Sequence, residues 1–168
     1  MHGTIEDDRV HFVAVKPPFG ETECEKNWLP ISGGKVIYSW HPLHIGVVYN
    51  GKLEIALSYD TPRWFRHLRG SAPPFELDGQ LWVLTHLVVP TSPRQYYHVW
   101  VVLDENYKPV KHSAPFYFHH KGIEYCLGTA MTDDVVQMFV SIWDRETWLY
   151  EISKDHLRGS LVSIPETS

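Results

Sequence analysis

Residues 69–103 read RGSAPPFELDGQLWVLTHLVVPTSPRQYYHVWVVL, and the fold of this chain depends mainly on them. It contains two apolar runs typical of strands, 81–88 and 95–103, which are joined by a polar loop with two prolines. Successive side chains of a strand point to opposite faces, and in both runs the two faces are largely apolar. The stretch therefore predicts a hairpin that other parts of the chain cover on both sides.

Four polar residues of this stretch stand out against its apolar background. They are Arg69, His86, Tyr97 and His98. Two interpretations remain open for them. The histidines are satisfied by tyrosines inside the core, or the four side chains line a concave polar site.

The rest of the chain continues the same pattern of short strands. Its 168 residues are 43% hydrophobic and 14% aromatic, which is enough for one domain with a real core. Turn signals such as Asn50-Gly51 separate the apolar runs, and no long stretch has a helical period. We predict a single all-β domain over residues 1–168, with a polar tail at 153–168 that frays beyond a short turn at 155–157.

Three units within the domain look loosely alike. They begin at Glu25, Arg69 and Glu124, and each runs from a polar cluster through a first strand to a Gly or Asp turn and further strands. Repeats of this size are typical of β-propeller blades. These strands are also consistent with a β-sandwich, so the periodicity alone does not distinguish a propeller from a sandwich.

Composition argues against several classes of partner. The net charge is −5 and no run of Lys or Arg is present, so we predict no nucleic-acid binding. No window reaches the apolar length of a membrane-spanning helix, and the N-terminus lacks the pattern of a signal peptide. We therefore predict no membrane association and, by default, a cytoplasmic location.

Cysteine and histidine spacing predicts no metal site. Cys24 and Cys126 lie in strand-like context and are interpreted as free thiols. The pair His41 and His44 is interrupted by Pro42, and no set of partners has the spacing of a zinc site. A Gly-rich phosphate loop is absent as well.

Four segments, in order, carry a resemblance to a known family. They are GTIEDDR (3–9); EKNWLPI (25–31) with VIYSWHPLHIG (36–46); RGSAPP (69–74) with DGQLWVLTH (78–86) and QYYHVWVVLD (95–104); and GIEYCLGTAM (122–131) with DDVVQMFVSIWD (133–144). They resemble the later blades of five-bladed β-propeller carbohydrate enzymes, namely the β-mannoside phosphorylases and hydrolases and the glycosyltransferase-associated propeller proteins of large DNA viruses and bacteria. The resemblance implies a partial five-bladed propeller of about three to three and a half four-stranded blades.

The resemblance also implies roles for single residues. The family's E-D-P-R motif, which carries the general acid, matches residues 6–9, so the acid falls on Asp7. Asp8 replaces the usual Pro, and its charge would tend to raise the pKa of Asp7. Lys26 matches a residue that helps hold phosphate in phosphorylases. The family's His-Arg falls at Trp40-His41, where this chain has no Arg, and this departure weakens the phosphorylase interpretation.

The predicted site combines this resemblance with the polar residues at strand starts. Its catalytic residues are Asp7, Glu25 and Glu124. Its residues for binding substrate or phosphate are Arg9, Lys26, Asn27, His41, Trp64, Arg69, His86, Tyr97, His98 and Asp144. Alternative roles remain for several of them: a solvated turn with an ion pair for Asp7 and Arg9, an exposed charged turn for residues 25–27, and core packing for most of the tryptophans. Trp64, in an aromatic loop, is the one we predict to stack on a ligand.

We predict a carbohydrate-active protein whose ligand is an oligosaccharide or glycoside. In one hypothesis it cleaves or forms a glycosidic bond by inversion, with no cofactor or with inorganic phosphate as co-substrate. In the other it is a non-catalytic glycan-binding or scaffolding propeller. A ring of three blades leaves apolar blade faces bare, so we expect a homo-oligomer or the remainder of a longer chain to cover them.

Overall fold

A computed structural model of the chain describes residues 2–6, 9–20 and 25–165. These residues form four antiparallel sheets, none of which closes on itself within the described ranges. The prediction of an all-β chain is confirmed at this level. The smallest sheet is an N-terminal hairpin of β1 (His2–Glu6) and β2 (Arg9–Val13).

The first sheet is a four-stranded meander, because each of its strands is followed by a turn or a short connection. Its strands are β3 (Leu29–Ile31), β4 (Lys35–Trp40), β5 (Leu43–Tyr49) and β6 (Lys52–Tyr59), in that spatial order. Asn50 and Gly51 turn the chain between β5 and β6 with positive φ angles of 48° and 72°. This pair is the residue combination that a tight hairpin turn with two positive φ angles prefers.

The central sheet contains the stretch that decides the fold. Its strands from this part of the chain are β7 (Arg69–Gly70), β8 (Phe75–Leu77), β9 (Gln80–Val89), β10 (Gln95–Leu103) and β11 (Pro109–Ser113). Strands β9 and β10 pair without a register shift over their whole length, from Gln95 opposite Val89 to Leu103 opposite Leu81. The predicted hairpin is therefore confirmed.

Both faces of that hairpin are buried, as the sequence predicted. One face, which includes Val83 and Val101, packs with residues of the first sheet in one core cluster. The opposite face, which includes Trp82 and Trp100, packs with residues of the third sheet in a second cluster. Burial of apolar side chains stabilises the folded chain by about 25 cal/mol per Å². Because the hairpin buries both of its faces, it contributes to the stability of both core clusters.

The third sheet follows the central sheet in the chain. It consists of β12 (Glu124–Met131), β13 (Val135–Ile142) and β14 (Glu146–Ser153). Its inner face packs on the central sheet, whereas Phe139 and its register partner Leu149 on the other face are 40% and 52% exposed. The third sheet therefore presents apolar side chains to water.

The C-terminal segment differs from the predicted fraying tail. It forms the helix α1 (Lys154–Gly159) and the strand β15 (Leu161–Ser163), which pairs with β11 at the edge of the central sheet. Leu157 is fully buried in the second core cluster, and Arg158 donates hydrogen bonds of 2.7 and 2.9 Å to Asp78. One buried leucine and a short strand anchor the segment, and neither gives a periodic sequence signal.

Within the described part of the chain, no helix has the length and apolar character needed to cross a lipid bilayer.

Candidate functional site

A polar pocket of about 210 Å³ lies where the start of the first sheet meets β7 of the central sheet. It is lined by Glu25, Lys26, Asn27, Trp28, Tyr38, Ser39, Trp40, His41, Arg66, Leu68, Arg69 and Gly70. Ligand pockets for drug-sized molecules usually reach about 300–1,000 Å³. This pocket is therefore small and fits a compact polar group.

A close approach of two backbones builds the pocket wall. A Cβ atom at Gly70 would lie 2.3 Å from Cγ of Leu29 and 2.7 Å from the backbone oxygen of Asn27. Only glycine fits at such distances. Because Gly70 has no side chain, β7 packs closely against the segment before β3. This close packing places Arg69 beside the residues that precede the first sheet.

The carboxylate of Glu25 is held at the pocket wall by two aromatic side chains. Trp28 donates its indole N–H to one oxygen at 3.1 Å, and the Tyr38 hydroxyl donates to the other at 3.3 Å. Burial, and then the negative charge of Glu25, raises the pKa of Tyr38, so this hydroxyl keeps its proton and remains a donor. The rings of Trp28 and Tyr38 also pack edge to face, with centroids 5.4 Å apart.

Three cationic side chains line the same pocket. Lys26 follows Glu25 directly, and Arg69 comes from β7. Arg66 belongs to a 3₁₀ turn over residues 63–67 and is exposed, as are Lys26 and Arg69. A pocket with one carboxylate and three cations favours an anionic or strongly polar ligand.

His41 lines the pocket, and its hydrogen bond to Thr61 defines which of its ring nitrogens carries the proton. Its Nδ1 lies 3.1 Å from the hydroxyl oxygen of Thr61, and that hydroxyl donates to the backbone oxygen of Trp40 at 2.6 Å. Because the hydroxyl proton is used there, Nδ1 of His41 is the donor in the pair. Its other ring nitrogen is then the acceptor.

A hydrogen-bonded link behind the pocket joins all three large sheets. Asn27, in a left-handed conformation with φ 63°, donates its side-chain amide to the Tyr125 hydroxyl at 3.3 Å. Tyr125, on β12, donates to the backbone oxygen of Ser71 at 3.4 Å. Burial raises the pKa of Tyr125. Segments adjoining the first and central sheets therefore meet a residue of the third sheet at this point.

His86 and His98 lie side by side on β9 and β10, and both are buried. Burial lowers the pKa of His86 to about 4, and the charges of Arg69 and Lys26 act in the same direction. Burial also lowers the pKa of His98 to about 3. Nδ1 of His86 and both ring nitrogens of His98 have no hydrogen-bond partner in the structure. The predicted tyrosine hydrogen bonds are absent for these nitrogens, although the rings of Tyr96 and Tyr125 contact His86.

Five predicted site residues line the pocket, and His86 lies within electrostatic reach of two of them. The five are Glu25, Lys26, Asn27, His41 and Arg69. Glu124 does not join them. It is fully buried, and its carboxylate accepts the backbone N–H groups of Phe118, His119 and His120 at 2.7, 2.9 and 2.8 Å. The predicted convergence on one cavity therefore excludes Glu124.

The remaining predicted residues lie elsewhere. Trp64 packs edge to face on Phe65 and His112 instead of lining the pocket. Tyr97 donates its hydroxyl to Gln95 at 3.3 Å, and His98 is enclosed by Phe116 and Phe118. Arg9 on β2 and Asp144 in the β13–β14 turn are exposed and are not among the residues that line the pocket. Asp7 and Cys24 lie outside the described residues.

Seven residues of the pocket wall were not predicted as site residues, among them Trp28, Tyr38 and Arg66. Trp28 was assigned to the core, as most tryptophans are, and Tyr38 sits within a strand. Arg66 lies in the aromatic loop 58–68, which the sequence marked as too aromatic for a linker, and that composition was the available signal.

Among residues 2–6, 9–20 and 25–165, no three His, Cys, Asp or Glu side chains are grouped so that they could hold a metal ion. Comparison of the chain with protein-family models, with curated proteins and with solved structures found no match.

Proposed function

We propose that this chain is a carbohydrate-active protein of the β-propeller type, similar to glycoside hydrolases and phosphorylases, and that it handles a glycoside in the pocket around Glu25. One observation carries the proposal. A single small pocket combines a fixed carboxylate, three cations and the half-buried rings of Trp28 and Tyr38. Sugars present both hydroxyl groups and an apolar ring face, so mixed polar and aromatic walls suit them.

The propeller architecture is supported by the order of strands. The first sheet is a four-stranded meander, and three residues converge behind the pocket: Asn27 just before β3, Ser71 just after β7 and Tyr125 near the start of β12. Inner strands that meet around a shared polar centre are what neighbouring blades would provide. Two departures are the three-stranded third sheet and the pairing of β15 with the central sheet.

In the proposed reaction Glu25 acts on the nucleophile. For hydrolysis it accepts a proton from the attacking water, while Asp7, the acid implied by the resemblance, protonates the leaving oxygen. This inverting reaction needs carboxylates roughly 6.5–9.5 Å apart. For phosphorolysis an oxygen of inorganic phosphate, held by Lys26 and Arg69, attacks the anomeric carbon instead. The products are then a sugar 1-phosphate and the free alcohol.

A second candidate function is glycan binding without catalysis. It is favoured by the carboxylate count, because Glu25 is the one carboxylate among the described residues that line the pocket. A panel of β-linked manno- and gluco-oligosaccharides, incubated with and without phosphate, separates the candidates. Released sugar indicates hydrolysis, sugar 1-phosphate indicates phosphorolysis, and binding with no product in either condition indicates the non-catalytic function.

Replacing Lys26 with alanine or Arg69 with glutamine is expected to reduce turnover, or binding if no turnover exists, at least tenfold. Both side chains are exposed, so the free energy of unfolding should change by less than about 0.5 kcal/mol. Initial rates and thermal melts of the same preparations give the two quantities.

Arg94→Gln is the matched control, because Arg94 is exposed and lies in the β9–β10 loop outside the pocket. It should behave as the wild type. A loss of melting temperature in step with the loss of activity would instead assign Lys26 and Arg69 to structural ion pairs.

We also propose that the apolar surfaces are covered in solution by a second copy or a further polypeptide. Phe12, Val13 and Leu149 are 65%, 55% and 52% exposed. Light scattering behind a sizing column is expected to give a mass above that of one chain. A monomer that binds no apolar dye would contradict this proposal.

A further inference from the structure

An aromatic patch at one end of the third sheet shares no residue with the pocket. Four rings follow one another: Trp148 with His119 at a centroid distance of 4.7 Å, His119 with His120 at 5.1 Å, and His120 with Trp143 at 5.8 Å. Trp143 and Trp148 are 36% and 41% exposed. We call these four residues the aromatic platform.

Trp143 adopts a backbone conformation that its residue type disfavours. It has φ 55° and is followed by Asp144 with φ 53°, in a turn that the Arg145 N–H closes on the Ile142 carbonyl at 3.1 Å. A bulky residue with positive φ is an outlier. The other pairs of consecutive residues with positive φ in the described part of the chain are Gly33-Gly34, Asn50-Gly51 and Asp78-Gly79, each of which contains glycine.

A strained residue persists where the surrounding structure fixes it, and such residues cluster at functional sites. The Trp143 indole lies directly on Gly122, where a Cβ atom would come within 2.7 Å of its Cζ2. The indole N–H of Trp143 also donates to Nε2 of His120. The ring is therefore held both by packing and by a hydrogen bond.

The rest of the aromatic platform is fixed in the same way. The Trp148 indole N–H donates to the carboxylate of Glu146 at 2.8 Å. The backbone that carries His119 and His120 is bound by the three hydrogen bonds to Glu124. A surface whose aromatic rings are fixed before binding loses little conformational entropy when a ligand docks.

We propose that the aromatic platform is a second carbohydrate-binding site, which takes a neutral oligosaccharide. Flat indole faces pack on the C–H face of a sugar ring, and the neighbouring carboxylates of Asp144 and Glu146 accept hydrogen bonds from its hydroxyl groups. Neighbouring planes of the four rings are inclined at 41°, 71° and 26°, so the series offers several separate ring contacts, which suits an oligosaccharide better than a single sugar. The carboxylates of Asp144 and Glu146 are balanced by the exposed cations Lys121 and Arg145, so no excess of positive charge favours an anionic ligand here, in contrast to the three cations of the pocket.

The choice of a carbohydrate rests on the proposed function, but the site itself does not. The test is titration of the full chain with β-1,4-linked mannohexaose and cellohexaose, followed by calorimetry and by NMR of the tryptophan indole N–H signals. We expect binding of at least one hexasaccharide, with shifts of the Trp143 and Trp148 signals. Trp148→Ala and, separately, Trp143→Asn should each weaken the affinity at least tenfold, as loss of a central tryptophan does at binding sites.

Leu149→Ala is the matched control, because Leu149 is exposed on the same strand but on its opposite face. It should leave the affinity unchanged. Gly122→Ala keeps every platform side chain, and its added Cβ meets the Trp143 indole first, so it should also weaken binding. Circular dichroism of each variant shows whether it is folded.

Three outcomes would overturn the proposal. They are no binding of either hexasaccharide by the wild-type chain, unchanged affinity in all folded platform variants, and conversion of an oligomer to a monomer with sugar affinity retained. The last would make the platform a contact between copies. Arg69→Gln separates this proposal from the proposed function, since it alters the pocket and should leave the platform signals responsive.

Discussion

Replacing Glu124 with alanine is expected to lower the free energy of unfolding by about 3–5 kcal/mol, which is a large part of the stability of a typical domain. The side chain is fully buried, and its two oxygens accept three backbone N–H groups of the segment before β12. Hydrogen bonds to a charged group contribute about 1.5–3 kcal/mol each, and buried donors left without an acceptor are destabilising. Urea unfolding of both proteins measures the difference.

Glu124→Gln gives an intermediate result if this explanation is correct. The amide keeps one acceptor oxygen and turns a donor toward the remaining N–H, so we expect a loss of about 2 kcal/mol. Glu105→Gln is the control, since Glu105 is exposed and its replacement should change stability by less than about 0.5 kcal/mol. Equal stability of Glu124→Ala and wild type would show that the three hydrogen bonds contribute nothing net.

Lowering the pH from 6.5 to 4 is expected to destabilise the chain on the order of 5 kcal/mol through His86 and His98. Burial lowers the pKa of His86 to about 4 and that of His98 to about 3, so in the folded chain His98 stays neutral over this interval and His86 begins to take up a proton only at its lower end. In the unfolded chain they take up protons near their ordinary pKa of about 6.5. The unfolded state then binds more protons, so stability is retained above about pH 6.5 and falls as the pH drops toward 4.

His98→Phe tests this explanation directly. Both nitrogens of His98 lack hydrogen-bond partners, and its ring contacts Phe116 and Phe118, so an apolar ring fits the chemistry of the site. We expect a flatter dependence of stability on pH between 6.5 and 4, measured by urea unfolding at each pH. His156→Gln, at an exposed histidine of α1, should keep the wild-type slope. A wild-type slope in His98→Phe would contradict the assignment.

The sequence predicted the central hairpin because its evidence is local. In residues 81–88 and 95–103 successive side chains point to opposite faces, and both faces are largely apolar. The structure pairs the two runs along their full length. The strand β15 gave no such evidence. It is three residues long, and its pairing with β11 joins segments far apart in the chain. Pairings of that kind depend on tertiary packing more than on sequence pattern.

The candidate site was predictable to the extent that polar residues stand at or just before the first strand of a sheet. Lys26 and Arg69 do so and line the pocket. Glu124 stands at an equivalent place in the sequence, yet its carboxylate binds backbone N–H groups. A carboxylate at a strand start has the same sequence signature in both roles. Only the position of the loop at residues 118–120 decides between them.

The pairing of β15 with β11 has a consequence for the topology of the chain. Ser113 lies opposite Leu161, so the chain leaves this edge of the central sheet at residue 114, forms the third sheet and returns to the same edge at residue 161. In topological terms the third sheet is an insertion whose two ends are adjacent, the arrangement typical of inserted domains. A cut in the exposed β13–β14 turn would therefore leave this closed base intact.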